Sequence, residues 1–277
     1  MESLEFVVEA DEVEFACGLC WSLGVAGIEE RDEPHGRVRL LVGVESDAAD
    51  DAVDELGTRW EVTRSEMNVE AYLDAWRPFA RAVRVGERLV IQPPWVDPIA
   101  RPGDLVVSVD PGRAWGHGAH PTTVLCVEAI LRIGDLDGWR VLDVGCGSGV
   151  LSVASALLGA KAVVGIDVDF AAVDATLANA LVSGVPELVE ASTTPVGSIV
   201  ETFEIVLANI GLGTLCELAG PIGARVAANG ILILSGLLVE QVDDALEAYG
   251  DFEPVWRRDL DGWSTVALRR RSFRVGR

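Results

Sequence analysis

The pattern of hydrophobic and polar positions divides the chain into two parts. In the first 66 residues, short segments of alternating hydrophobicity are separated by two stretches whose apolar residues recur at helical spacing. The order of these segments is β-α-β-β-α-β, which is that of a ferredoxin-like split unit. The predicted strands are residues 4–8, 25–29, 38–44 and 60–62, and the predicted helices are residues 11–23 and 48–56. The sequence therefore predicts a small ferredoxin-like α+β domain at residues 1–66.

Proline is concentrated after this first part, at positions 78, 93, 94, 98 and 102. Because proline lacks a backbone N–H and interrupts regular elements, residues 67–105 are predicted to form a linker between two domains. Within this linker, residues 83–92 are compatible with a strand pair that turns at Gly86.

From residue 106 onward, short apolar runs alternate with longer helical patterns. Continuous apolar runs of this kind are typical of parallel strands that are buried on both faces. The predicted strands are residues 139–144, 162–168, 205–208 and 231–235, and the predicted helices are residues 150–158, 170–183, 214–227 and 239–248. This alternation predicts a doubly wound, Rossmann-like α/β domain at residues 106–270, followed by a basic, frayed tail at 271–277.

Composition narrows the class of protein. The chain has 277 residues, 49% of them hydrophobic, which is enough for a sizeable core. No apolar run reaches the roughly 20 residues that span a bilayer, and the acidic first residues do not resemble a signal peptide, so a cytoplasmic protein without membrane contact is expected. Cys17 and Cys20 form one CxxC at helical spacing, which favours packing over metal binding, and no metal site is predicted.

The charge balance is strongly acidic, with 44 Asp and Glu against 22 Lys and Arg and a net charge of −22. A field of this sign repels phosphate backbones, so no direct nucleic acid binding is expected. It would attract a basic partner such as a ribosomal protein. Solubility in a high-salt or acid-biased proteome explains the same charge equally well.

The string DVGCGSGV carries the clearest candidate chemistry, because it joins a predicted strand to a predicted helix through Gly145, Gly147 and Gly149. Glycines allow a sharp turn and a close approach of the backbone to a ligand at a helix N-terminus. A dinucleotide fingerprint has the spacing G-x-G-x-x-G, whereas here the last position holds Val150. Asp143 would repel a pyrophosphate but could pair with the amino group or the sulfonium of S-adenosylmethionine. A strand-to-helix turn without a ligand is the alternative.

Two further polar residues follow predicted strands. Asp167 ends the next strand, where a carboxylate can accept hydrogen bonds from both hydroxyls of a ribose. Asp169 is interpreted as the N-cap of the helix that begins at Phe170. Asn209 ends the third strand and can face both cofactor and substrate, because ligands bind at the carboxyl edge of such sheets. A cap of a local turn is the alternative for Asn209.

The segment DPGRAWGHGAHPTT at residues 110–123 precedes the glycine loop. Pro121 predicts the first position of a helix. The glycines before it, together with Trp115, His117 and His120, are interpreted as a lid over the substrate. Trp115 could offer its ring face to a cation, although a core position is equally consistent with a tryptophan.

These segments together resemble the PrmA family of ribosomal protein methyltransferases, in which DPGxAFGTGxHPTT precedes the glycine loop. LDVGCGSGVLS, VVGIDVD, VLANI and ILILSGLLVEQ follow here in the order of that family. The resemblance implies a ferredoxin-like substrate-recognition domain, a linker and a class I methyltransferase domain. It also implies transfer of methyl groups from S-adenosylmethionine to lysine ε-amines and the N-terminal α-amine of large-subunit protein L11. The cofactor contacts that it implies are Thr123, Gly145, Asp167 and Asn209.

The chain departs from the family pattern at several positions. Trp115 and His117 stand where Phe and Thr are usual, and Ser192 stands where Asp is common. Two alternatives follow from Ser192: recognition of adenine is looser, or Glu190 takes over the contact. NIGLGTL replaces the usual stretch after Asn209. These departures leave open a related enzyme that methylates another protein or a small molecule. A non-catalytic module that keeps the fold is a further alternative.

No general base stands out in the sequence. Methyl transfer is an in-line displacement that depends mainly on positioning and exclusion of water. The hypothesis is that Asn209 and residues 117–123 orient a neutral amine while solvent takes up its proton.

Overall fold

The architecture was obtained as a computed structural model, which describes residues 2–271 except 11, 24, 26, 45, 47, 67–79 and 111–117. The chain divides into two compact units, Met1–Pro78 and Phe79–Arg277. In the described part, no helix is both long enough and apolar enough to cross a membrane.

The first unit has the predicted order of elements. These are β1 (Glu2–Glu9), α1 (Val13–Ser22), β2 (Gly27–Glu33), β3 (Arg37–Val44), α2 (Ala49–Gly57) and β4 (Thr63–Glu66). The four strands form one sheet in the order β2-β3-β1-β4, with β1 antiparallel to both of its neighbours. The last strand, β4, begins directly after the predicted strand at 60–62. Trp60 therefore lies outside the strand, and its ring stacks on that of Phe6 with centroids 5.1 Å apart.

Alternation along the central strands creates the core of this unit. Leu4, Phe6 and Val8 all point to the buried face of β1. Cys20 is buried in the same cluster as α2, and Cys17 packs against it, which confirms a packing role for the CxxC pair.

The second unit begins with a small sheet built from residues predicted to be linker. Its strands are β5 (Val83–Val85), β6 (Leu89–Gln92) and β7 (Leu105–Ser108), in the order β5-β6-β7. β5 and β6 pair across the predicted turn at Gly86. Val85, Leu89 and Ile91 join the main core of the second unit, so residues 80–105 belong to it. The four prolines of this stretch do not interrupt the ladders, because all lie in the loop between β6 and β7.

A seven-stranded sheet forms the centre of the second unit and confirms the doubly wound α/β class. Its strands follow the order β10-β9-β8-β11-β12-β14-β13. They are β8 (Arg140–Val144), β9 (Ala162–Ile166), β10 (Val189–Ser192), β11 (Phe203–Asn209), β12 (Val226–Leu238), β13 (Phe252–Leu260) and β14 (Trp263–Arg270). β10, β9, β8, β11 and β12 are parallel, whereas β14 is antiparallel to both neighbours.

The helices of this unit are α3 (Pro121–Ile133), α4 (Val150–Leu157), α5 (Phe170–Val182), α6 (Leu212–Glu217), α7 (Ala219–Arg225) and α8 (Val242–Ala248). The predicted helix 214–227 is therefore two short helices, and its last two residues already belong to β12. Pro221 explains the break, because it lies in the first turn of α7, where its missing N–H is tolerated.

The direction of strand order reverses between β8 and β11. From β8 the chain proceeds to β9 and β10 on one side, and then returns to β11 on the other. In open α/β sheets this switch point opens a crevice at the carboxyl ends of the strands, and ligands bind there.

Candidate active site

A cavity of about 400 Å³ lies at the carboxyl ends of β8 and β11. It is lined by three stretches of chain and two isolated residues: His120, Thr122 and Thr123; Gly145–Ser148 with Val150 and Leu151; Asn209–Gly211; and Gly236 and Trp263. The cavity coincides with the switch point of the sheet. Of the predicted site residues, Thr123, Gly145, Gly147, Asn209 and His120 meet in this wall.

The glycine loop is held by the neighbouring strand. The N–H groups of Gly145 and Cys146 both donate to the carbonyl of Ile166, at 2.8 and 3.1 Å. Gly145 has a φ of +74°, and a Cβ at this position would lie 2.4 Å from Cγ2 of Ile210. Glycine is required at 145 for conformation and for space, so the loop can pass close beside the start of the segment that follows Asn209.

Gly149 serves packing and does not line the cavity. Its φ is +76°, and an added Cβ would lie 2.7 Å from the Cα of Thr176 on α5. The hydroxyl of Thr176 donates to the carbonyl of Gly147 at 3.1 Å. The third glycine of the motif therefore lets α5 approach the loop from behind.

Asp143 lies beneath the loop and is only 1% exposed. Its Oδ2 accepts a hydrogen bond from the hydroxyl of Ser152 at 2.7 Å, while its Oδ1 finds no hydrogen-bond partner in the described part of the chain. Burial, with a smaller contribution from the charge of Asp167, raises the pKa of Asp143 to about 6. Asp143 is absent from the residues that line the cavity, so the predicted pairing with the cofactor's amino or sulfonium group stays a prediction.

Asp167 follows β9 at the same edge of the sheet. Its carboxylate accepts hydrogen bonds from the N–H of Gly147 at 3.0 Å and from the N–H of Asp169 at 3.1 Å. The Asp169 side chain accepts from the N–H of Ala171 at 2.8 Å, which confirms its role as N-cap of α5. Asp167 is not among the residues that line the cavity, and its predicted contact with a ribose stays a prediction.

The first turn of α3 supplies another wall. His120 is its N-cap, and Nδ1 of His120 accepts from the N–H of Thr122 and lies 2.8 Å from the hydroxyl of Thr122. Pro121 begins the helix, as predicted. The rings of His120 and Trp263 meet edge to face with centroids 4.9 Å apart. Thr123, predicted as a cofactor contact, is buried beside them.

Asn209 ends β11 half-buried and lies in the cavity wall. The next residues, Ile210 and Gly211, continue the wall toward α6. Gly236 has a φ of +79°, and a Cβ there would lie 2.5 Å from the carbonyl oxygen of Ile210. The close contacts of Ile210 with Gly145 and with Gly236 thus fix the path of the chain just after Asn209.

Other predicted positions are not among the described residues that line the cavity. Trp115, His117 and the tail beyond residue 271 are outside the described residues. Ser192 does not line the cavity, and its hydroxyl donates to that of Thr194 at 3.0 Å. Glu190 is exposed on β10 and also lies outside the cavity wall.

Sequence reasoning missed Trp263, which stands at the start of β14. A two-residue turn at Asp261 and Gly262, with φ of 50° and 81°, joins β13 to β14 and places this ring over the cavity. Asp-Gly between two hydrophobic segments is a strong hairpin signal, so the element could have been recognised from LDGW. Ile210 and Gly236 carry no comparable signal.

The residues present fit S-adenosylmethionine. Gly145 and Gly147 line the cavity without side chains, and Asp167 offers a carboxylate that is already oriented by two N–H groups. Two buried polar atoms next to the loop, Oδ1 of Asp143 and Oγ of Ser148, have no hydrogen-bond partner among the residues that the structure describes. Buried polar atoms are normally satisfied, so these atoms favour a polar ligand here.

Comparison with known proteins agrees with this site. The family described as "Ribosomal protein L11 methyltransferase (PrmA)" matches residues 42–271. Proteins named ribosomal protein L11 methyltransferase from Citrifermentans bemidjiense and from Geobacter sp. M21 are 45% and 43% identical over 206 residues, covering 73% of this chain and 67% of each relative. A crystal structure of ribosomal protein L11 methylase from Lactobacillus delbrueckii subsp. bulgaricus is 27% identical with a TM-score of 0.62, covering 69% of this chain and 100% of that one. The chain therefore belongs to the ribosomal protein L11 methyltransferase (PrmA) family, and its cofactor is S-adenosylmethionine.

Proposed function

We propose that this protein transfers methyl groups from S-adenosylmethionine to lysine ε-amines of ribosomal protein L11, and also to its N-terminal α-amine. The observation that carries the proposal is the cavity at the switch point, where the glycine loop and Asn209 face one another. The names of the relatives support L11 as the substrate.

When bound, S-adenosylmethionine supplies a methyl group on a positively charged sulfur, which an amine can attack directly. Gly145 and Gly147 would let the loop backbone pass close to the cofactor, and Asp167 would hold its ribose hydroxyls. Asn209, His120 and Trp263 stand in the wall of the same cavity. Their part is to admit the amine in line with the methyl group and to exclude water, since positioning contributes most to such a displacement.

The amine must be neutral to attack, and a lysine amine has a pKa near 10.4 in water. The described residues that line the cavity include no Asp or Glu. Burial raises the pKa of the Cys146 thiol to about 12, so this thiol stays protonated and does not act as a base. The side-chain oxygen of Asn209 can accept a hydrogen bond from the amine, and solvent takes up the released proton.

The net charge of −22 supports a basic protein as substrate. Opposite charge accelerates encounter between partners and is screened by salt. We expect KM for L11 to rise with ionic strength while kcat changes little. The protein would act in the cytoplasm, where L11 is incorporated into ribosomes and where its five free cysteines would remain reduced.

The direct test is incubation with purified L11 and cofactor, followed by intact-mass measurement and fragmentation to locate the methyl groups. A stepwise gain of methyl mass on lysine and on the N-terminal amine is expected. Asn209→Ala should lower kcat about 100-fold because the amine loses its positioning partner. Asn229→Ala, an exposed position on β12, is the matched control and should leave the rate unchanged.

The outcomes separate the alternatives. Cofactor binding without any gain of mass on L11 would indicate a related enzyme with another substrate. Failure to bind the cofactor in calorimetry would leave only a non-catalytic module. Unchanged turnover in Asn209→Ala would remove the positioning role of that residue.

A further inference from the structure

The buried side chain of Asn179 joins two parts of the chain that build the cavity. Asn179 lies on α5 and is 3% exposed. Its Nδ2 donates to the carbonyl of Ser148 at 2.8 Å and to the carbonyl of Asp110 at 2.9 Å, and its Oδ1 accepts from the N–H of Asp110 at 3.0 Å. Both N–H groups of the amide and its oxygen are therefore used, all toward backbone.

Asp110 and Ser148 belong to different parts of the site. Ser148 is in the glycine loop and lines the cavity. Asp110 lies two residues after β7 and ten residues before His120, the N-cap of α3. A single amide thus holds the glycine loop at Ser148 and the end of the β7 segment at Asp110.

α5 contacts the loop at two successive carbonyls. The hydroxyl of Thr176, three residues before Asn179, donates to the carbonyl of Gly147 at 3.1 Å. Residues three and four apart lie on the same face of a helix, so Thr176 and Asn179 form one continuous hydrogen-bonding edge. This edge draws the carbonyls of Gly147 and Ser148 toward α5, while the N–H of Gly147 points to Asp167.

The same face of α5 continues to Ser183, the residue that caps its C-terminal end. The hydroxyl of Ser183 accepts from the N–H of Ser108 at 3.0 Å and donates to the carbonyl of Ser108 at 3.3 Å. Asn179 thus pairs with the N–H and the carbonyl of Asp110, and Ser183 pairs with those of Ser108. Ser108 and Asp110 are alternate positions along the same segment of chain. Ser108 ends β7, and Val109 still donates to the carbonyl of Gln92 after β6, so Asn179 and Ser183 bond the edge of this segment that faces away from β6. Ser183 makes this contact without touching the glycine loop, which makes it a matched control.

We propose that Asn179 is a positioning residue for cofactor binding, which couples the glycine loop at Ser148 to the end of the β7 segment at Asp110. This inference rests on the proposed function only in assigning S-adenosylmethionine as the ligand of the loop. Replacing the amide leaves the carbonyls of Ser148 and Asp110 buried without a donor, and each such loss has a large free-energy cost. The glycine loop is then less well ordered, and the free-energy cost of ordering it weakens cofactor binding.

The test compares Asn179→Ala, the nearly isosteric Asn179→Asp and Ser183→Ala. The readouts are the dissociation constant of S-adenosylhomocysteine by calorimetry and the free energy of unfolding by denaturant. Both Asn179 variants should bind the cofactor product at least about tenfold more weakly, since each leaves two carbonyls without donors. Ser183→Ala should lose stability but keep wild-type affinity within about twofold, since it leaves the loop untouched.

A measurement on the wild-type protein tests the proposal even if a variant fails to fold. Amide hydrogen exchange by NMR should show about tenfold greater protection of the Asp110 N–H when S-adenosylhomocysteine binds, with little change at Ser108. Wild-type affinity in the Asn179 variants, an equal loss in Ser183→Ala, or unchanged protection at Asp110 would each overturn the proposal. If L11 is not methylated but these results hold, the proposed function fails and the positioning role of Asn179 stands.

Discussion

The backbone N–H of Gly147 donates a hydrogen bond to the carboxylate of Asp167 at 3.0 Å. This contact ties the loop after β8 to the end of β9, and the acceptor is the residue expected to bind the ribose. A second N–H, that of Asp169, fixes the other oxygen of the same carboxylate. The protein's own backbone therefore orients this carboxylate, and preorganisation of this kind lowers the free-energy cost of binding.

Asp167→Ala should weaken binding of S-adenosylhomocysteine by about 100-fold, because it removes hydrogen bonds between a charged acceptor and the ribose. Calorimetry measures the effect. Asp169→Ala is the control, because Asp169 caps α5 through Ala171. It should cost about 1 kcal/mol in the free energy of unfolding and leave affinity nearly unchanged. Equal effects of the two variants on affinity would contradict a ribose contact by Asp167.

Gly149→Ala should destabilise the fold by about 3 kcal/mol, since the new methyl group would overlap the backbone of α5 in a left-handed conformation. Gly138→Ala is the matched control, because Gly138 also has a positive φ, +79°, but open space around its Cβ position. It should cost only about 1 kcal/mol. Denaturant unfolding of both variants checks the difference, and equal losses would show that packing against Thr176 is unimportant.

Asp143 should make the stability of the ligand-free protein depend on pH. Its folded pKa is raised to about 6 from 3.8, so the folded state holds a proton between these values and the unfolded state does not. Stability therefore falls as pH rises through this window, by about 3 kcal/mol in total, and is level above it.

Asp143→Asn lacks this titration. Denaturant unfolding at several pH values measures the free energy of unfolding of the variant minus that of the wild type. This difference should increase as pH rises from 4 to 7, because only the wild type loses stability there. A constant difference would show that Asp143 ionises normally in the fold. If Asp143 serves the cofactor, as its position under the loop suggests, the more stable variant should nevertheless bind S-adenosylhomocysteine more weakly.

Trp263→Ala should lower kcat/KM for L11 about tenfold or more, because the cavity loses the ring that packs edge to face on His120 and becomes open to water. Trp263→Phe keeps an aromatic ring and should recover much of the rate. Initial rates measured at saturating cofactor separate this effect from cofactor binding. A normal rate in Trp263→Ala would show that this ring does not shape the reacting site.

The order of elements in the first unit and four of the seven strands of the large sheet could be predicted from periodicity, because alternating and helical spacing reflect which face of each element is buried. β10, β13 and β14 were not predicted. The strand at 252–260 could not be recognised so easily. Most of its residues are exposed on the edge strand β13, so its sequence lacks a buried pattern. The prolines at positions 93–102 led to the prediction that this stretch belongs to a linker between domains. Its prolines lie in a loop, while Val85, Leu89 and Ile91 on either side are buried in the second unit.

The sequence alone determined the local chemistry of the site. The spacing of Gly145, Gly147 and Gly149, the carboxylate of Asp167 and the resemblance of 110–123 to the PrmA family predicted both cofactor and reaction class, because these depend on residues close together in the chain. Tertiary structure decided which of them face the cavity. Asp143 and Gly149 lie behind the loop, while Trp263, more than 100 residues away in sequence, stands in its wall. Such placements follow from sheet order and side-chain packing between distant segments, which no local pattern encodes.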